Sequence, residues 1–204
     1  MSSYKNFISD FPSRCGDLLR NLHARASLKN RDVTFMLAIA SSGLLIPYAR
    51  LKESDHPSAD TTNFKIAANQ FNEFLETYFL DSGLADRTQN SWRISKRAIV
   101  NGRLDPGCFE TEFKPISAKK QTAPIIQILR NALAHGNIVT EGHPIGKLFF
   151  LSKVGEDSRY YNCIAVSPED FKLFIEKWFE FLGSIHMPDE IFEGNGVFND
   201  DQAA

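Results

Sequence analysis

Arg130, Asn131 and His135 occur within one short stretch, and together their side chains are able to act on a phosphodiester. The guanidinium of Arg130 is planar and permanently charged, which suits it to phosphate oxygens. The imidazole of His135 gains and loses a proton near neutral pH, and the amide of Asn131 is able to orient either neighbour. This set of residue types predicts cleavage of a phosphodiester bond.

The same stretch is the end of a predicted helix. Apolar residues recur at helical spacing through it: Ile125, Ile126, Leu129, Ala132 and Leu133. Gly136 supplies the left-handed residue that commonly follows a helix. Asn131 and His135 are four residues apart and share a face, with Arg130 beside Asn131. The carbonyl end of the helix dipole would also favour the charged form of His135.

An Arg followed by a polar residue, three further residues and a His resembles the R-x4-6-H motif of the HEPN superfamily, in which Asn, Asp or His commonly follows the Arg. Arg130 and His135 carry this resemblance, with an Asn after the Arg. Arg50 and His56, with five residues between them, also satisfy the motif spacing. However, Leu51 follows that Arg, and the polar residues and proline around His56 indicate a loop. We therefore assign the motif to the first pair.

The resemblance implies metal-independent RNA cleavage without a cofactor, because an RNA strand carries its own nucleophile. In this mechanism His135 transfers the proton of the 2′-hydroxyl, Arg130 stabilises charge on the phosphate and Asn131 orients both. The products would carry 2′,3′-cyclic phosphate and 5′-hydroxyl ends. One motif supplies one His and one Arg, and catalytic HEPN proteins pair two motifs across a two-fold axis. The resemblance therefore implies a homodimer.

Other functions remain open at this stage. The domain could be a catalytically inert HEPN module that binds RNA, a nucleotide or a partner protein. A second alternative is an assembly protein whose last, aromatic helix forms the interface. A third is that Arg130 and His135 lie on the solvated side of an ordinary helix end and have no chemical role. Many HEPN ribonucleases act in bacterial toxin–antitoxin or antiviral systems. The resemblance thus suggests a toxin or defence effector, with an antitoxin or regulatory protein as a partner.

The composition is that of a single globular domain with an acidic tail. The chain has 204 residues, 43% of them hydrophobic, and a net charge of −2. Residues 189–204 hold five acidic and no basic residues, so residues 1–188 carry 23 basic against 20 acidic side chains. The sequence predicts a HEPN-like domain over 1–188 and a disordered tail over 189–204. A tail that mimics nucleic acid and covers a basic site is the alternative.

Cysteine usage and the absence of a leader pattern favour a cytoplasmic protein. Cys15, Cys108 and Cys163 are widely spaced and form no C-x-x-C pair, so neither a disulfide framework nor a metal site is predicted. The apolar run Val33–Ile46 is about 14 residues long, short of the roughly 20 that span a bilayer. We expect a buried helix there and no membrane partner.

The predicted fold is mainly α, a bundle of about five helices with a small β-hairpin at about 147–166, between the motif helix and the C-terminal helix. A further helix is predicted over Trp92–Leu104. The periodic apolar residues predict the bounds of the five helices. The first runs from Pro12 towards Lys29, the second from Asp32 to a stop or kink at Pro47, and the third from Thr62 to near Gly83. The fourth is the motif helix, and the fifth runs from Ser167 to Gly183.

Basic residues are concentrated between residues 84 and 120. Lys119 and Lys120 lead directly into the motif helix. An RNA strand that reaches His135 could lie along this surface, so both lysines are predicted to bind RNA. A solvated basic face without a ligand is the alternative.

Overall fold

The computed structural model describes residues 7–52, 62–100 and 112–185, and a layer of helices covers one face of an antiparallel sheet in it. The α-helices among these residues are α1 (Phe7–Ser27), α2 (Asp32–Lys52), α3 (Thr62–Glu76), α4 (Thr122–His135) and α5 (Pro168–Ser184). A single 3-10 turn spans Phe79–Asp81. The helical bundle predicted from the apolar periodicity is present, and α4 is the motif helix.

The sheet is larger than predicted. Its six strands are β1 (Arg93–Ser95), β2 (Ile99–Val100), β3 (Phe113–Pro115), β4 (Ile138–Glu141), β5 (Lys147–Lys153) and β6 (Tyr160–Val166). The order is β3-β1-β6-β5-β4, and β2 also pairs with β6. The predicted hairpin is confirmed as β5 and β6. The predicted mainly α fold is supported by the five helices, but the prediction of only a small hairpin is wrong, because β5 and β6 form the centre of a six-stranded antiparallel sheet.

The predicted helix over Trp92–Leu104 is wrong for the residues that the structure describes, which end at Val100. Ile94 lies opposite Ile164, and Ile99 lies opposite Tyr161, so this segment pairs with β6 as two short strands. Strands of two and three residues show too little alternation to be recognised in a sequence, and pairing with a long neighbour decides their conformation. Residues 101–104 lie outside the described part of the chain.

Alternation along β5 and β6 divides the apolar residues between two faces. Leu148, Phe150, Ile164 and Val166 belong to the main core beneath the helices. Phe149, Cys163 and Ala165 belong to a smaller cluster on the opposite face. Helix α4 packs against β5 and β6 on one side and against α2 and α3 on the other. The motif helix is therefore held between the sheet and the remaining helices.

Helix α2 continues through Pro47 to Lys52, so of the two predicted outcomes at Pro47, an end of the helix is wrong and a kink stays a prediction. Proline lacks the N–H that would bond the carbonyl of Gly43, and the indole of Trp178 donates to that carbonyl instead. The prediction of a buried helix holds for one side only, since seven of its 21 residues are buried. By length and composition alone, α2 would be able to cross a membrane.

Helix α5 begins as predicted and packs more deeply than predicted. The hydroxyl of Ser167 accepts a hydrogen bond from the backbone N–H of Asp170, and proline follows at the first helical position. The Asp170 carboxylate accepts from the backbone N–H of Ser91, which ties the segment before β1 to this helix. Four of its five aromatic side chains are buried in the chain's own core, among them Trp178 at 1% exposure, and Phe181 is half-buried against that core. The buried side chains are therefore not available to a second subunit.

Two sequence predictions fall on residues that the structure does not describe. The acidic tail 189–204 and the second His of R-x4-6-H spacing, His56, both lie outside the described ranges.

Candidate active site on the motif helix

His135 is the last residue of α4, as predicted. Gly136 adopts a φ of 65°, in the left-handed region that glycine tolerates. The backbone N–H of Asn137 then donates to the carbonyl of Ala132 at 2.9 Å, and strand β4 begins at Ile138. This end of the helix is a Schellman cap, and it fixes where the His135 backbone lies relative to the sheet.

Arg130 is held from two sides. Its Nη1 donates to Oδ1 of Asn131 at 3.1 Å, and its Cζ lies 5.8 Å from the centre of the Tyr48 ring. The second distance is within the range of a cation–π interaction. The Nε atom is buried and has no hydrogen-bond partner among the described residues. The guanidinium thus lies at the seam between α4 and α2, with its Nη2 free of any hydrogen bond to described residues.

Asn131 connects Arg130 to the sheet. Its Nδ2 donates to Oγ of Ser152 on β5 at 3.0 Å, while its Oδ1 accepts from Arg130. Ser152 is only 4% exposed and lies on the face of β5 that the helices cover. The amide oxygen accepts one hydrogen bond and the amide nitrogen donates the other. Only one of the two flipped orientations of the Asn131 side chain therefore satisfies both partners. Asn131 thus contacts Arg130, one of the two residues that it is predicted to orient, and makes no hydrogen bond to His135 among the described residues.

Tyr48 provides the aromatic surface beneath Arg130. The edge of one ring faces the other in its contact with Phe71, with centroids 5.6 Å apart and planes at 78°. Burial raises the pKa of Tyr48, and the positive charge of Arg130 lowers it by a smaller effect. The phenol is consequently neutral at physiological pH, and its ring is fixed by Phe71 on one side and by the guanidinium on the other.

His135 is exposed and lies one turn beyond Asn131. Its imidazole makes no hydrogen bond to the residues that the structure describes. The structure therefore brings Arg130 and Asn131 into direct contact and leaves His135 at the open end of the same helix. An exposed imidazole in that position is accessible to a ligand.

Lys119 and Lys120 precede the other end of α4. The helix has 14 residues, which makes it about 20 Å long, so the two lysines lie roughly that far from His135. Neither has an acidic partner within the described ranges, whereas Arg87 pairs with Asp81, and Arg97 with Glu112, at 3.2 Å each. The predicted basic surface is therefore partly neutralised, and these two lysines keep their charge available.

Sequence analysis missed Tyr48 and Ser152. Both contact the motif only in the folded chain, and Ser152 is 21 residues from Asn131. Neither belongs to a short motif, so no local signal identifies them. Within the described ranges, no group of three or more His, Cys, Asp and Glu side chains is placed to hold a metal ion. The expectation that the site needs no metal remains a prediction.

The helical body and the Arg-Asn-x3-His end of α4 define a domain of the HEPN class. Residues 1–189 match the family model described as HEPN pEK499 p136, and the chain belongs to this HEPN family. No curated protein and no solved structure matches the chain significantly.

Proposed function

We propose that this protein is a HEPN endoribonuclease that cleaves RNA without a metal ion. The observation that carries the proposal is the arrangement on α4. Arg130 is fixed between Tyr48 and Asn131, and His135 is exposed one turn further on. A preorganised cation and an accessible proton carrier are what phosphodiester cleavage requires from a protein when the RNA supplies the nucleophile.

The chemistry assigns one role to each residue. The 2′-hydroxyl attacks the adjacent phosphorus as its proton passes to the His135 imidazole. The bond to the 5′-oxygen then breaks, and a protonated imidazole returns a proton to that leaving oxygen. Arg130 stabilises the charge on the phosphate oxygens through its Nη2 group, which has no hydrogen-bond partner among the described residues. Asn131 positions Arg130 and does not take part in proton transfer.

A homodimer belongs to the proposal. One imidazole must act as base and another as acid, or the same one must do both in sequence. A two-fold axis close to α4 would place two His135 side chains and two Arg130 side chains around one RNA strand. Lys119 and Lys120 would bind the phosphates of the strand further from the cleaved bond, which would make binding weaken as salt increases.

Incubation of the purified protein with several RNAs in EDTA, followed by mapping of the ends, tests the proposal. We expect 2′,3′-cyclic phosphate and 5′-hydroxyl ends. His135→Ala should reduce the cleavage rate by about 10² to 10⁴. His143→Ala, which changes another exposed histidine, is the matched control and should cleave like the parent. Cleavage by His135→Ala at the parental rate would contradict the mechanism.

The second candidate is an inert HEPN module that binds RNA, a nucleotide or a protein. The observation that favours it is the engagement of Arg130 by its neighbours, since the guanidinium already has an amide and an aromatic ring as partners. Comparison of binding and cleavage separates the two candidates. RNA binding by the parent without cleavage, weakened in Arg130→Ala, would establish the module in place of the enzyme.

The proposed cellular role is that of a cytoplasmic toxin or antiviral effector restrained by a partner protein. It rests on the HEPN family and on the chemistry proposed above. Expression in a bacterial host provides the test. The parent is expected to arrest growth, and His135→Ala is expected not to. Equal growth with both proteins would remove the support for a toxin.

A further inference from the structure

The β5–β6 hairpin extends beyond the end of the motif helix. Two contacts join the last turns of α4 to β5. Nδ2 of Asn131 donates to Oγ of Ser152 at 3.0 Å. Just after the helix, the carbonyl of Asn137 accepts from the backbone N–H of Leu151 at 3.0 Å. Both contacts lie at the end of β5, whose last residue is Lys153, so the hairpin continues beyond this end of α4.

The start of α4 lies at the opposite end of the sheet. The backbone N–H of Phe79 donates to the carbonyl of Lys120 at 2.8 Å, just before the helix. The Phe79 ring contacts Trp92, with centroids 5.1 Å apart, and the residue after Trp92 pairs with Ala165 near the end of β6. Helix α4 therefore runs along the sheet towards the hairpin turn, and His135 is its residue nearest to that turn.

Three side chains beyond this point are exposed on the face of the sheet that the helices cover elsewhere. Asn162 lies opposite Ser152, and two residues further on the backbone N–H of Val154 donates to the carbonyl of Tyr160 at 3.0 Å. Because side chains alternate along a strand, all four residues share one face. Ser152 is 4% exposed, whereas Val154 is 56% and Tyr160 42% exposed, and Asn162 is exposed too. We call Val154, Tyr160 and Asn162 the sheet-end surface.

A positive charge lies on the ring of Tyr160. Cζ of Arg159 is 5.6 Å from the centre of that ring, within the range of a cation–π interaction. Arg159 is exposed and forms no ion pair with a residue of the described ranges. Glu156 and Asp157 lie in the turn beyond the Val154–Tyr160 pair and leave Arg159 unpaired. The sheet-end surface thus combines an aromatic ring with an available guanidinium.

Asn162 adds hydrogen-bonding groups next to that ring. Its amide has one acceptor oxygen and two N–H donors, and its side chain makes no hydrogen bond to the residues that the structure describes. Its cross-strand neighbour Ser152 is the residue that holds Asn131. The sheet-end surface is therefore continuous with the candidate active site, one serine away from the motif.

The size of the sheet-end surface fits one nucleobase. Its rows are about 7 Å apart along the strands, and neighbouring strands are about 5 Å apart. This is far less than the roughly 800 Å² that each partner buries in a stable protein interface. Among the described residues, the exposed aromatic side chains are Tyr160 and Tyr78, and Tyr78 pairs with Gln121 at the start of α4. Tyr160 is thus the exposed ring at the His135 end.

We infer that Tyr160 and Asn162 bind one nucleobase of the RNA next to the phosphodiester that is cleaved. The inference rests on the proposed function, because it requires an RNA strand at His135. Tyr160 stacks on the base, which any base allows, and the Asn162 amide bonds to the base edge, which only some bases match. Arg159 binds the adjoining phosphate. The hairpin is consequently the part of the chain that selects the substrate.

Binding of an RNA that cannot be cleaved tests the inference. Fluorescence polarisation gives the Kd of a labelled 2′-fluoro oligonucleotide, and a series with one abasic position at a time locates each base contact. In the parent, one abasic position should weaken binding by about 5- to 150-fold. Tyr160→Ala should weaken binding of the intact oligonucleotide by a similar factor and be insensitive to that abasic position. Tyr160→Phe, which keeps the ring, should bind like the parent.

Leu18→Ala is the matched control, because Leu18 is 46% exposed and lies on α1. It should bind like the parent and keep the sensitivity to the abasic position. A parent that binds no RNA, or a Tyr160→Ala variant with parental affinity and parental sensitivity, would overturn the inference.

Asn162→Ala provides a second test, which also applies if Tyr160→Ala does not fold. The four bases are compared at the position that the abasic series identifies. The parent should prefer some of them, and the differences in Kd should become smaller in Asn162→Ala. Equal affinities for all four bases in the parent, or unchanged differences in the variant, would contradict the role of Asn162.

RNA cleavage in EDTA separates this inference from the proposed function. A parent that binds a base through Tyr160 and does not cleave RNA supports the subsite and contradicts the enzyme. A parent that cleaves RNA, with Tyr160→Ala equal to it in binding and in cleavage, supports the enzyme and contradicts the subsite. Sedimentation velocity covers a protein partner: self-association that is lost in Tyr160→Ala, with RNA binding unchanged, would identify a protein interface and overturn the inference.

Discussion

The indole Nε1 of Trp178 donates a 3.1 Å hydrogen bond to the backbone carbonyl of Gly43, inside the core between α5 and α2. In a regular α-helix the backbone N–H four residues later donates to this carbonyl, but that residue is Pro47, which has no N–H. A side chain of α5 thus supplies the hydrogen bond that a backbone carbonyl of α2 lacks. Helix α2 therefore continues beyond Pro47 and includes Tyr48.

Trp178→Phe should lower the free energy of unfolding by more than the change to a smaller ring would on its own. The substitution leaves a buried carbonyl without a donor, which costs about 1–3 kcal/mol. Urea denaturation measures the difference. Trp92→Phe is the matched control, because Trp92 is equally buried and its Nε1 has no hydrogen-bond partner within the described part of the chain. Equal destabilisation by the two substitutions would show that the bond to Gly43 contributes nothing.

Gly43→Ala is expected to be destabilising. A Cβ atom at this position would lie 2.3 Å from Cε1 of Phe179, so the Phe179 ring or the helix that carries it would have to move. Overpacking of this kind costs about 1–3 kcal/mol. Gly183→Ala is the control, since a Cβ there meets nothing within 4 Å. Alanine should leave the stability unchanged or raise it at that position, and a neutral Gly43→Ala would show that this helix contact is not tight.

Ser152→Ala tests whether the sheet positions the site. Without the hydroxyl, the Nδ2 of Asn131 loses its partner and the amide is free to turn away from Arg130. We expect a decrease in the RNA cleavage rate that is smaller than the decrease caused by His135→Ala, with little change in the melting temperature. Ser158→Ala, in the turn between β5 and β6, should cleave like the parent. Unchanged cleavage by Ser152→Ala would assign Ser152 a purely structural role.

Arg130→Gln should raise the pKa of Tyr48 further. Burial already raises it, and the Arg130 charge lowers it, so removal of that charge leaves the effect of burial unopposed. Absorbance at 295 nm during an alkaline titration follows the phenol, and subtraction of the Tyr48→Phe titration isolates this residue. A Tyr48 pKa that is equal in the parent and in Arg130→Gln would contradict the contact between the two side chains.

Local sequence was sufficient for the presence of the five helices and for the end of α4, but not for every boundary, since α1 begins before Pro12 and α3 ends at Glu76 and not near Gly83. The apolar residues of α4 repeat at helical spacing, and Gly136 has the left-handed conformation that its identity predicts. Strands β1, β2 and β3 could not be predicted, because each is two or three residues long and depends on a neighbour for its hydrogen bonds. The course of α2 beyond Pro47 depended on Trp178, far away in the chain. The partners of the motif, Tyr48 and Ser152, likewise depended on tertiary contacts.

The length of α4 has a consequence for any RNA that the protein binds. Lys119 and Lys120 stand before its first turn, and His135 occupies its last residue, about 20 Å away. An oligonucleotide too short to cover that distance cannot contact both ends of the helix at once. The proposed site therefore has a minimum substrate length, and RNAs below it should lose both affinity and the dependence of binding on salt.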